Sequence, residues 1–599
     1  MLSSSSSIVP GHADEKPDRG CREAAGERMN VGVCLASGAF ARPHGLVERR
    51  SRAKKVQCRS AMLIAGDALR QSNLRRLGLL VTMASALAFS QSTSLRSPEQ
   101  RTNVYFEGIR REPPLALAFL REMPKGGDLH NHLAGAVYAE DLIDYAARDK
   151  LCVDRATMTA VRGECDQNCT PGAGKPAAEC AYREQSLYDA LVDAWSMRNW
   201  ERGRESGHDH FFAAFAKFDL PLNDHIGEAM ARVIERAAAD RLEYVELMHT
   251  VGGMQSAELG AKAGWNSDFG VMRDRLMAGG MHEAIERARE ELDRDENLAR
   301  RELACGANPG NMQDGQPAPE GNVARRPTES RACDVTVRYL YQVLRGLEPG
   351  EVFAQMLMGF ELAAKDPRVV GLNLVMPEDW YIPMRDFDLQ MRMLDYLHGI
   401  YPHVHISLHA GELAMGLVPP EGLRFHIRHS IEQGHAERIG HGVSVLEEHN
   451  ALALLREMAE RKVLVEICLT SNDVILGVRG GRHPFPLYRR FKVPLALATD
   501  DEGVSRSDMT QEYLRAAETY NLSYIDLKQL ARESLEHSFL PGESLWTDID
   551  RARMAARCGG QHLDRSTESI SCQTFLRGSE KARVEWRLEQ DFAAFEKKF

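Results

Sequence analysis

The sequence predicts an α/β protein: a (β/α)8 TIM barrel with a mononuclear metal site at the C-terminal ends of its strands and an insert after the first strand. Eight short apolar runs alternate with amphipathic helical patterns, as expected for parallel strands that are buried on both faces. Four of these runs end in polar clusters that contain histidine or acidic residues. Active residues of such barrels come from the C-terminal ends of different strands, so the clusters and the alternation indicate the same fold.

The eight runs that predict strands are mostly rich in branched apolar residues. They are Gly126–His132, Leu242–Met248, Val335–Val343, Val369–Met376, His403–His409, Arg438–Gly442, Val463–Cys468 and Val493–Thr499. Helical patterns precede the first run at Pro113–Glu122 and lie between or after later runs at Phe353–Ala364, Phe387–Tyr401, Ser444–Arg461 and Asp508–Glu518. This alternation predicts a barrel over residues 123–545.

The remaining chain divides into segments around the barrel. Residues 1–61 show no sustained periodicity and are interpreted as a disordered or wrongly assigned extension. Residues 62–90 have the three parts of a signal peptide: the basic pair Arg75-Arg76, a short apolar stretch and Ala86-Leu87-Ala88. A start at Met62 would give a signal of ordinary length and a periplasmic or secreted protein. The alternative is a buried or interfacial helix of an extension, in a cytoplasmic protein.

Further segments flank or interrupt the barrel. Residues 91–122 are predicted to be helical, residues 150–235 form the insert, residues 300–332 read as an exposed loop, and residues 546–599 form a helical extension. The phenylalanines Phe211, Phe212, Phe215 and Phe218 of the insert recur at helical spacing. They predict a core-facing stripe, with a lid over the barrel mouth as the alternative. His208 and His210 share this helix, where residues two apart face different sides, so they are predicted not to bind metal.

The composition favours a globular protein acting on a small molecule. The chain has 599 residues, 43% hydrophobic and 27% charged, with a net charge of −11. That charge argues against nucleic-acid binding, which leaves a basic footprint. The apolar stretch before residue 90 is too short for an ordinary membrane span. The sequence leaves a homodimer open.

The cysteines indicate an oxidising compartment. Cys152, Cys165, Cys169 and Cys180 cluster in the insert, whereas Cys305 with Cys333, and Cys558 with Cys572, bracket loop-like stretches. Such placement favours disulfides, and a structural zinc in the cluster of four is the second interpretation. Cys468 stands alone in an apolar run and is predicted to be a buried thiol.

The first cluster can hold a metal ion. His130 and His132 are two apart in a strand, so both rings face one side. His409 and Asp500 end later strands and complete a set of three imidazoles and a carboxylate, which suits one Zn²⁺. A catalytic zinc keeps a position for water and lowers the pKa of that water towards neutrality.

Three residues beside these ligands are candidates for proton transfer and substrate orientation. Glu412 is a candidate general acid, since burial would raise its pKa, or else a helix-start carboxylate. His441 lies between two glycines and is a candidate for activating the water, or else a core histidine. Asp501 is a candidate contact to a substrate nitrogen, or else a helix cap. Second-tier polar groups are Glu246, His435, Asn472 and His483.

Together these segments resemble the adenosine/AMP deaminase family of metal-dependent hydrolases. The resemblance runs in order through Met123-Pro124-Lys125-Gly126-Gly127-Asp128-Leu129-His130-Asn131-His132, Ser407-Leu408-His409-Ala410-Gly411-Glu412, Arg438-Ile439-Gly440-His441-Gly442, Glu466-Ile467-Cys468-Leu469-Thr470-Ser471-Asn472, His483-Pro484 and Thr499-Asp500-Asp501. The opening motif, the cysteines and the signal-like segment are similar to the secreted, adenosine-deaminase-related growth-factor branch or its bacterial relatives.

The resemblance implies a reaction and a set of roles. His130, His132, His409 and Asp500 would bind zinc. Glu412 would protonate the purine ring nitrogen, His441 would activate or orient the attacking water, and Asp501 would hydrogen-bond the base. Further substrate contacts are expected at His132, Gly135 and Met376. The implied reaction is zinc-dependent hydrolysis of adenosine, with deoxyadenosine as a further substrate, to the inosine product and ammonia.

Three departures from the family pattern concern the substrate. Ala134 stands where an aspartate often reaches towards the ribose, Met376 lies where a glycine is common, and Glu502-Gly503 replaces a proline after the paired aspartates. They leave open another aminopurine: adenine, a methylated adenine nucleoside or AMP. A phosphate would require a basic or glycine-rich cradle, and none is evident. The third hypothesis is a secreted binding or growth-factor-like protein on the same fold. The presence of all the candidate catalytic residues argues against it.

Overall fold

Eight parallel strands, named β1 to β8 in chain order, pair each with the next and form the centre of the molecule. They are Gly126–His132, Leu242–His249, Thr336–Leu344, Val369–Val375, His405–Ala410, Arg438–His441, Leu464–Ile467 and Leu495–Leu497. The structure is a computed structural model that describes residues 96–305, 331–561, 563 and 569–599. The barrel prediction is confirmed, with strand ends within about two residues of expectation, while the interpretations of residues 1–61 and 62–90 lie outside the described residues.

Helices surround the strands and extend to both ends of the described chain. They are Pro98–Ile109, Pro113–Glu122, Leu133–Ala136, Ala139–Arg148, Gln185–Ala194, Gly207–Asn223, Ile226–Ala239, Gln255–Ala263, Phe269–Leu276, His282–Glu302, Pro349–Lys365, Tyr381–Ile400, His426–Glu432, Ala451–Arg461, Leu469–Leu476, Phe485–Phe491, Glu502–Ser505, Met509–Tyr520, Tyr524–Glu536, Ile570–Gly578 and Glu580–Glu596. The helix after β6 begins at Ala451 rather than at Ser444, because Asn450 is left-handed (φ 52°) and a helix cannot continue back through it.

The barrel closes where β1 meets the residues that follow β8. Asn131 and Asp500 form an isolated parallel bridge, in which the amide of Asp500 donates to the carbonyl of His130 at 2.9 Å and the amide of His132 donates to the carbonyl of Asp500 at 3.0 Å. The carboxylate of buried Asp128 also accepts from the hydroxyl of Thr499 at 2.5 Å. The seam of the barrel therefore consists of residues that belong to the polar clusters.

Disulfides fasten the segments outside the barrel. The cysteines of the insert pair as Cys152–Cys165 and Cys169–Cys180, and the outer pairs are Cys305–Cys333 and Cys558–Cys572. Cys468 is a buried free thiol, as predicted. The disulfide interpretation of the cluster of four is confirmed, and the structural-zinc interpretation is wrong because all four sulfur atoms are used in pairs.

The end of the chain packs on the last barrel helix. After a short hairpin of Trp546–Asp548 and Arg553–Met554, the helix Glu580–Glu596 contacts Tyr524–Glu536 through a buried ion pair. The guanidinium of Arg532 donates to both carboxylate oxygens of Glu589, at 2.7 and 2.8 Å. No helix in the described ranges is long and apolar enough to cross a membrane.

Candidate metal and catalytic site

Three imidazoles and a carboxylate from three polar segments converge at the C-terminal ends of the strands. Nε2 of His409 lies 3.0 Å from Nε2 of His130 and 3.2 Å from Nε2 of His132. Oδ1 of Asp500 lies 3.4 Å from Nε2 of His130 and 3.3 Å from Nε2 of His132. These are the four residues that the sequence predicted as metal ligands, and the fold brings all of them together.

The partners of Nδ1 in each histidine show that the contacts between the Nε2 atoms are not ordinary hydrogen bonds. Nδ1 of His130 lies 2.6 Å from the carboxylate of Glu466, Nδ1 of His132 lies 3.0 Å from Oε1 of Gln342, and Nδ1 of His409 lies 2.7 Å from Oδ1 of Asn373. Each acceptor places the ring proton on Nδ1, and it leaves a lone pair on Nε2.

The donor set therefore fits a cation. Lone pairs that face each other across the observed 3.0–3.2 Å repel unless a positive ion lies between them. Nitrogen and oxygen ligands of a tetrahedral ion at about 2.0–2.1 Å are separated by about 3.3 Å, close to the separations here. Among the described residues, His130, His409, His441 and Asp500 form a group whose possible ligand atoms all lie within 4.8 Å of one another, and His132, Asp500 and Asp501 form a second such group.

His130 contacts a buried network of charged side chains through Glu466. The second oxygen of Glu466 accepts from Nε of Arg438 at 2.7 Å and from the hydroxyl of Ser407 at 2.9 Å. The guanidinium of Arg438 also pairs with Glu246. The sequence analysis named Glu246 as a second-tier polar group. In the structure Glu246 does not contact the proposed ligands directly but pairs with Arg438 and helps to balance its charge.

His441 is oriented by a chain of hydrogen bonds. The amide of Phe485 donates to Nδ1 of His483 at 3.1 Å, which places the His483 proton on Nε2, and Nε2 donates to Oδ1 of Asn472 at 3.0 Å. Nδ2 of Asn472 then donates to Nδ1 of His441 at 2.9 Å. The His441 proton therefore lies on Nε2, a buried atom without a partner among the described residues. A protonated nitrogen cannot be a ligand, so His441 is placed to donate.

Glu412 is held in position through its backbone. The amides of Gly411 and Glu412 donate to the carboxylate of Glu378, at 3.1 and 2.7 Å, and Nδ1 of His426 contacts the same carboxylate. Burial raises the pKa of the Glu412 carboxyl well above its ordinary value, and the charges of Asp500 and Glu378 raise it further. Oε1 of Glu412 has no hydrogen-bond partner in the described part of the chain, so a protonated carboxyl is available to a substrate.

The side chain of Asp501 packs against Gly135, which follows the first strand. A Cβ on Gly135 would lie 1.8 Å from Oδ1 of Asp501, so only glycine leaves room for this carboxylate. Burial and the charge of Asp500 raise the pKa of Asp501. Gly135 therefore leaves space for the side chain of Asp501. Gly135 itself is not among the residues that line the cavity described next.

A cavity of about 240 Å³ opens onto these groups. Its lining residues are His132, Ala134, Phe211, Phe212, Phe215, Gln342, Leu344, Val375, Met376, Pro377, Trp380, His409, Glu412, Ile475, Asp500 and Asp501. Phe211 and Phe218 are also part of the core, so the phenylalanine helix belongs to the core on one face and to the cavity on the other. Met376, with a left-handed backbone (φ 83°), lines the cavity as expected.

Other predicted groups lie elsewhere. His208 contacts Asp379 at 2.9 Å and His210 contacts Glu205 at 2.8 Å, so both histidines pair with carboxylates outside the ligand set. His435 pairs with Asp395 at 2.8 Å on the surface. Sequence reasoning missed Gln342, Asn373 and Glu378. Single amides and acids in apolar runs carry no spacing signal, and only their position beside strand ends could have marked them.

Comparison with known proteins agrees with the sequence motifs. The sequence model of the family described as adenosine deaminase matches residues 323–550. An adenosine deaminase of Mycobacterium sp. (strain KMS) is 27% identical over 237 residues, 38% of this chain and 60% of that protein. An adenosine deaminase of Escherichia coli (strain SMS-3-5 / SECEC) is 38% identical over 140 residues, 23% of this chain and 39% of that protein. The chain thus spans less than two thirds of the length of these relatives.

A solved structure overlaps more of the chain at lower similarity. The N6-methyl-AMP deaminase from Arabidopsis thaliana is 18% identical, with a TM-score of 0.41, and the overlap covers 71% of this chain and 94% of that one. An overlap at this level says nothing about the substrate, which has to be argued from the residues of the cavity.

Proposed function

We propose, from the premise that residues 323–550 belong to the adenosine deaminase family, that the protein hydrolyses adenosine and deoxyadenosine to inosine and deoxyinosine and releases ammonia. One observation carries the proposal: buried Glu412, with a raised pKa and a free carboxyl oxygen, shares a cavity with a set of metal ligands. A proton donor beside a metal site is the arrangement that hydrolytic deamination requires.

Each group has a role in this reaction. His130, His132, His409 and Asp500 would hold one zinc ion, which lowers the pKa of water towards neutrality when bound. Glu412 donates its proton to the purine ring nitrogen next to the attacked carbon, so that carbon becomes more electrophilic. Nε2–H of His441 donates to the oxygen of the attacking water and orients it. Asp501 hydrogen-bonds the base and keeps the ring over the ligand set.

Deamination of another aminopurine is the second candidate. Ala134 and Met376 line the cavity where the family pattern has other residues, and this favours a substrate that differs from plain adenosine. AMP is disfavoured, because no lysine or arginine of the described residues lines the cavity. A binding protein without turnover is disfavoured too, since the ligands, Glu412 and His441 are all in place.

A substrate panel tests the proposal. Zinc-loaded protein is assayed for ammonia release from adenosine, deoxyadenosine, adenine, N6-methyladenosine and AMP, and its metal content is measured. We expect one zinc per chain and turnover of a nucleoside. Failure to release ammonia from every aminopurine would overturn the proposed function.

We also infer that the protein is exported. Four disulfides support an oxidising compartment, in agreement with the signal-like residues 62–90. Expression from Met62 in a bacterium, followed by fractionation and N-terminal sequencing, tests this inference. Accumulation in the cytoplasm with residues 62–90 still attached would overturn it.

A further inference from the structure

We propose that the preferred substrate is an adenine nucleoside with an alkyl or thioether group in place of its 5′-hydroxyl. This inference rests on the proposed deamination and names its substrate class. It follows from the chemistry of the cavity wall, which is mostly apolar and whose polar side chains, apart from the indole N–H of Trp380, have roles in the proposed reaction.

Most polar side chains of the lining have a role in the proposed reaction. Among the lining residues, His132, His409 and Asp500 belong to the proposed ligand set, while Glu412 and Asp501 would contact the base. Gln342 and the indole of Trp380 are the remaining polar side chains, and Oε1 of Gln342 accepts from Nδ1 of His132 at 3.0 Å. Apart from the indole N–H of Trp380, no polar side chain among the described lining residues remains to pair with the hydroxyl groups at the far end of a nucleoside.

The rest of the lining is apolar and comes from several segments. Phe211, Phe212 and Phe215 belong to the helix Gly207–Asn223, and Val375, Met376, Pro377 and Trp380 follow or end β4, with Ala134, Leu344 and Ile475 completing the wall. Trp380 is 43% exposed and Tyr381 is 76% exposed. Because Trp380 belongs to both the cavity and the surface, the apolar wall reaches the mouth.

Charge and desolvation select against the usual polar substituents. No lysine or arginine among the described residues lines the cavity, so a 5′-phosphate would enter it without a cationic partner. A hydroxyl buried against the apolar wall would lose its hydrogen bonds to water without replacement. One apolar group in such a pocket changes kcat/KM by about 10- to 200-fold.

The test compares four nucleosides that share the base. The kcat/KM of zinc-loaded protein is measured for adenosine, 5′-deoxyadenosine, 5′-deoxy-5′-methylthioadenosine and AMP. We expect the thioether to exceed adenosine by about ten-fold or more, 5′-deoxyadenosine to lie between them, and AMP to be the poorest. Equal or better turnover of adenosine would overturn this inference and leave the deaminase assignment intact, whereas no turnover of any of the four would overturn both.

Variants locate the preference in the wall. Phe212→Ser and Phe215→Ser are expected to reduce the thioether-to-adenosine ratio by about ten-fold, with zinc content unchanged. Ala216→Ser, an exposed position of the same helix, is the matched control and should keep the wild-type ratio. Inhibition by the product analogue 5′-methylthioinosine relative to inosine gives a second readout without turnover, and equal inhibition by both would contradict the proposal.

Discussion

Glu412 illustrates how position, rather than residue type, makes a proton donor. The side chain is only 8% exposed and lies among the negative charges of Asp500 and Glu378, so its neutral form is favoured. The same residue type at the surface would be ionised at neutral pH. The sequence predicted this residue because it follows a strand-end histidine by three positions.

We expect Glu412→Gln to keep one zinc per chain and to lower kcat by about 10²–10⁴-fold, the usual contribution of a general acid. The amide fills the same space but has no acidic proton to transfer. Ammonia release and metal content are measured together, with Glu421→Gln at an exposed nearby position as the control. Activity within about two-fold of wild type would contradict the general-acid role.

His483 acts on the site through two other residues. Its ring donates to Asn472, which donates to His441, so His483 fixes the proton on Nε2 of His441. Nothing in the sequence assigned this role to His483. Its motif was visible, but the direction of a hydrogen bond depends on the whole chain of partners.

We expect His483→Ala to lower kcat by about 10- to 100-fold with zinc content unchanged, because His441 is then free to adopt the other tautomer. His483→Gln keeps an N–H donor and should recover part of the loss. Thermal melts distinguish this effect from unfolding. His435→Ala, a surface histidine paired with Asp395, should match wild type, and an equal loss in the alanine and glutamine variants would argue against positioning.

At the scale of elements, the loop after β4 holds the loop after β5 in position through hydrogen bonds. Glu378 accepts from the amides of Gly411 and Glu412 and pairs with His426. Burial alone would raise its pKa, but the His426 hydrogen bond and the charges of His426 and Arg345 bring the pKa of Glu378 down to about 2. The strands themselves were predictable from apolar runs, whereas this contact between loops depends on tertiary packing.

A carboxyl whose pKa is lower in the folded state stabilises the fold above its unfolded pKa of 4.5 and loses that contribution as the pH falls towards 2. At about pH 3 we expect the wild type to have lost about 2 kcal/mol from this group. Glu378→Gln should show a flatter dependence. Denaturant unfolding of zinc-free protein between about pH 6 and pH 3 measures the difference, with exposed Glu447→Gln as the control, and parallel curves for wild type and Glu378→Gln would contradict the assignment.

At the scale of the whole molecule, the proposed metal ligands and the barrel seam coincide. His130 and Asp500 both take part in the closing backbone hydrogen bonds, and they supply two of the side chains that we propose as metal ligands. Periodicity predicted eight strands and their order, and the convergence of the ligands followed from the fold. Periodicity could not predict that regular pairing is replaced by an isolated bridge at the seam, because this depends on the exact register of β1 and β8.

We expect removal of zinc by a chelator to lower the melting temperature, because an ion that binds only the folded state stabilises it, by about 4 kcal/mol at a thousand times Kd. Re-addition of zinc should restore the transition. His130→Ala should abolish the zinc-dependent shift, while the double variant His208→Gln/His210→Gln should keep it. Identical melting with and without zinc would contradict a metal site at the seam.

The positions of the seam residues in the sequence also determine when the proposed metal site can form during synthesis. Synthesis starts at the N-terminus, so His130 and His132 are made early, whereas Asp500 is made only after the last barrel strand. A shorter nascent fragment therefore lacks one of the four proposed ligands. The proposed four-ligand set is thus completed only after the last barrel strand has been made. If the polypeptide crosses a membrane before folding, the metal has to be acquired on the far side, and the supply there determines how much of the secreted pool is active.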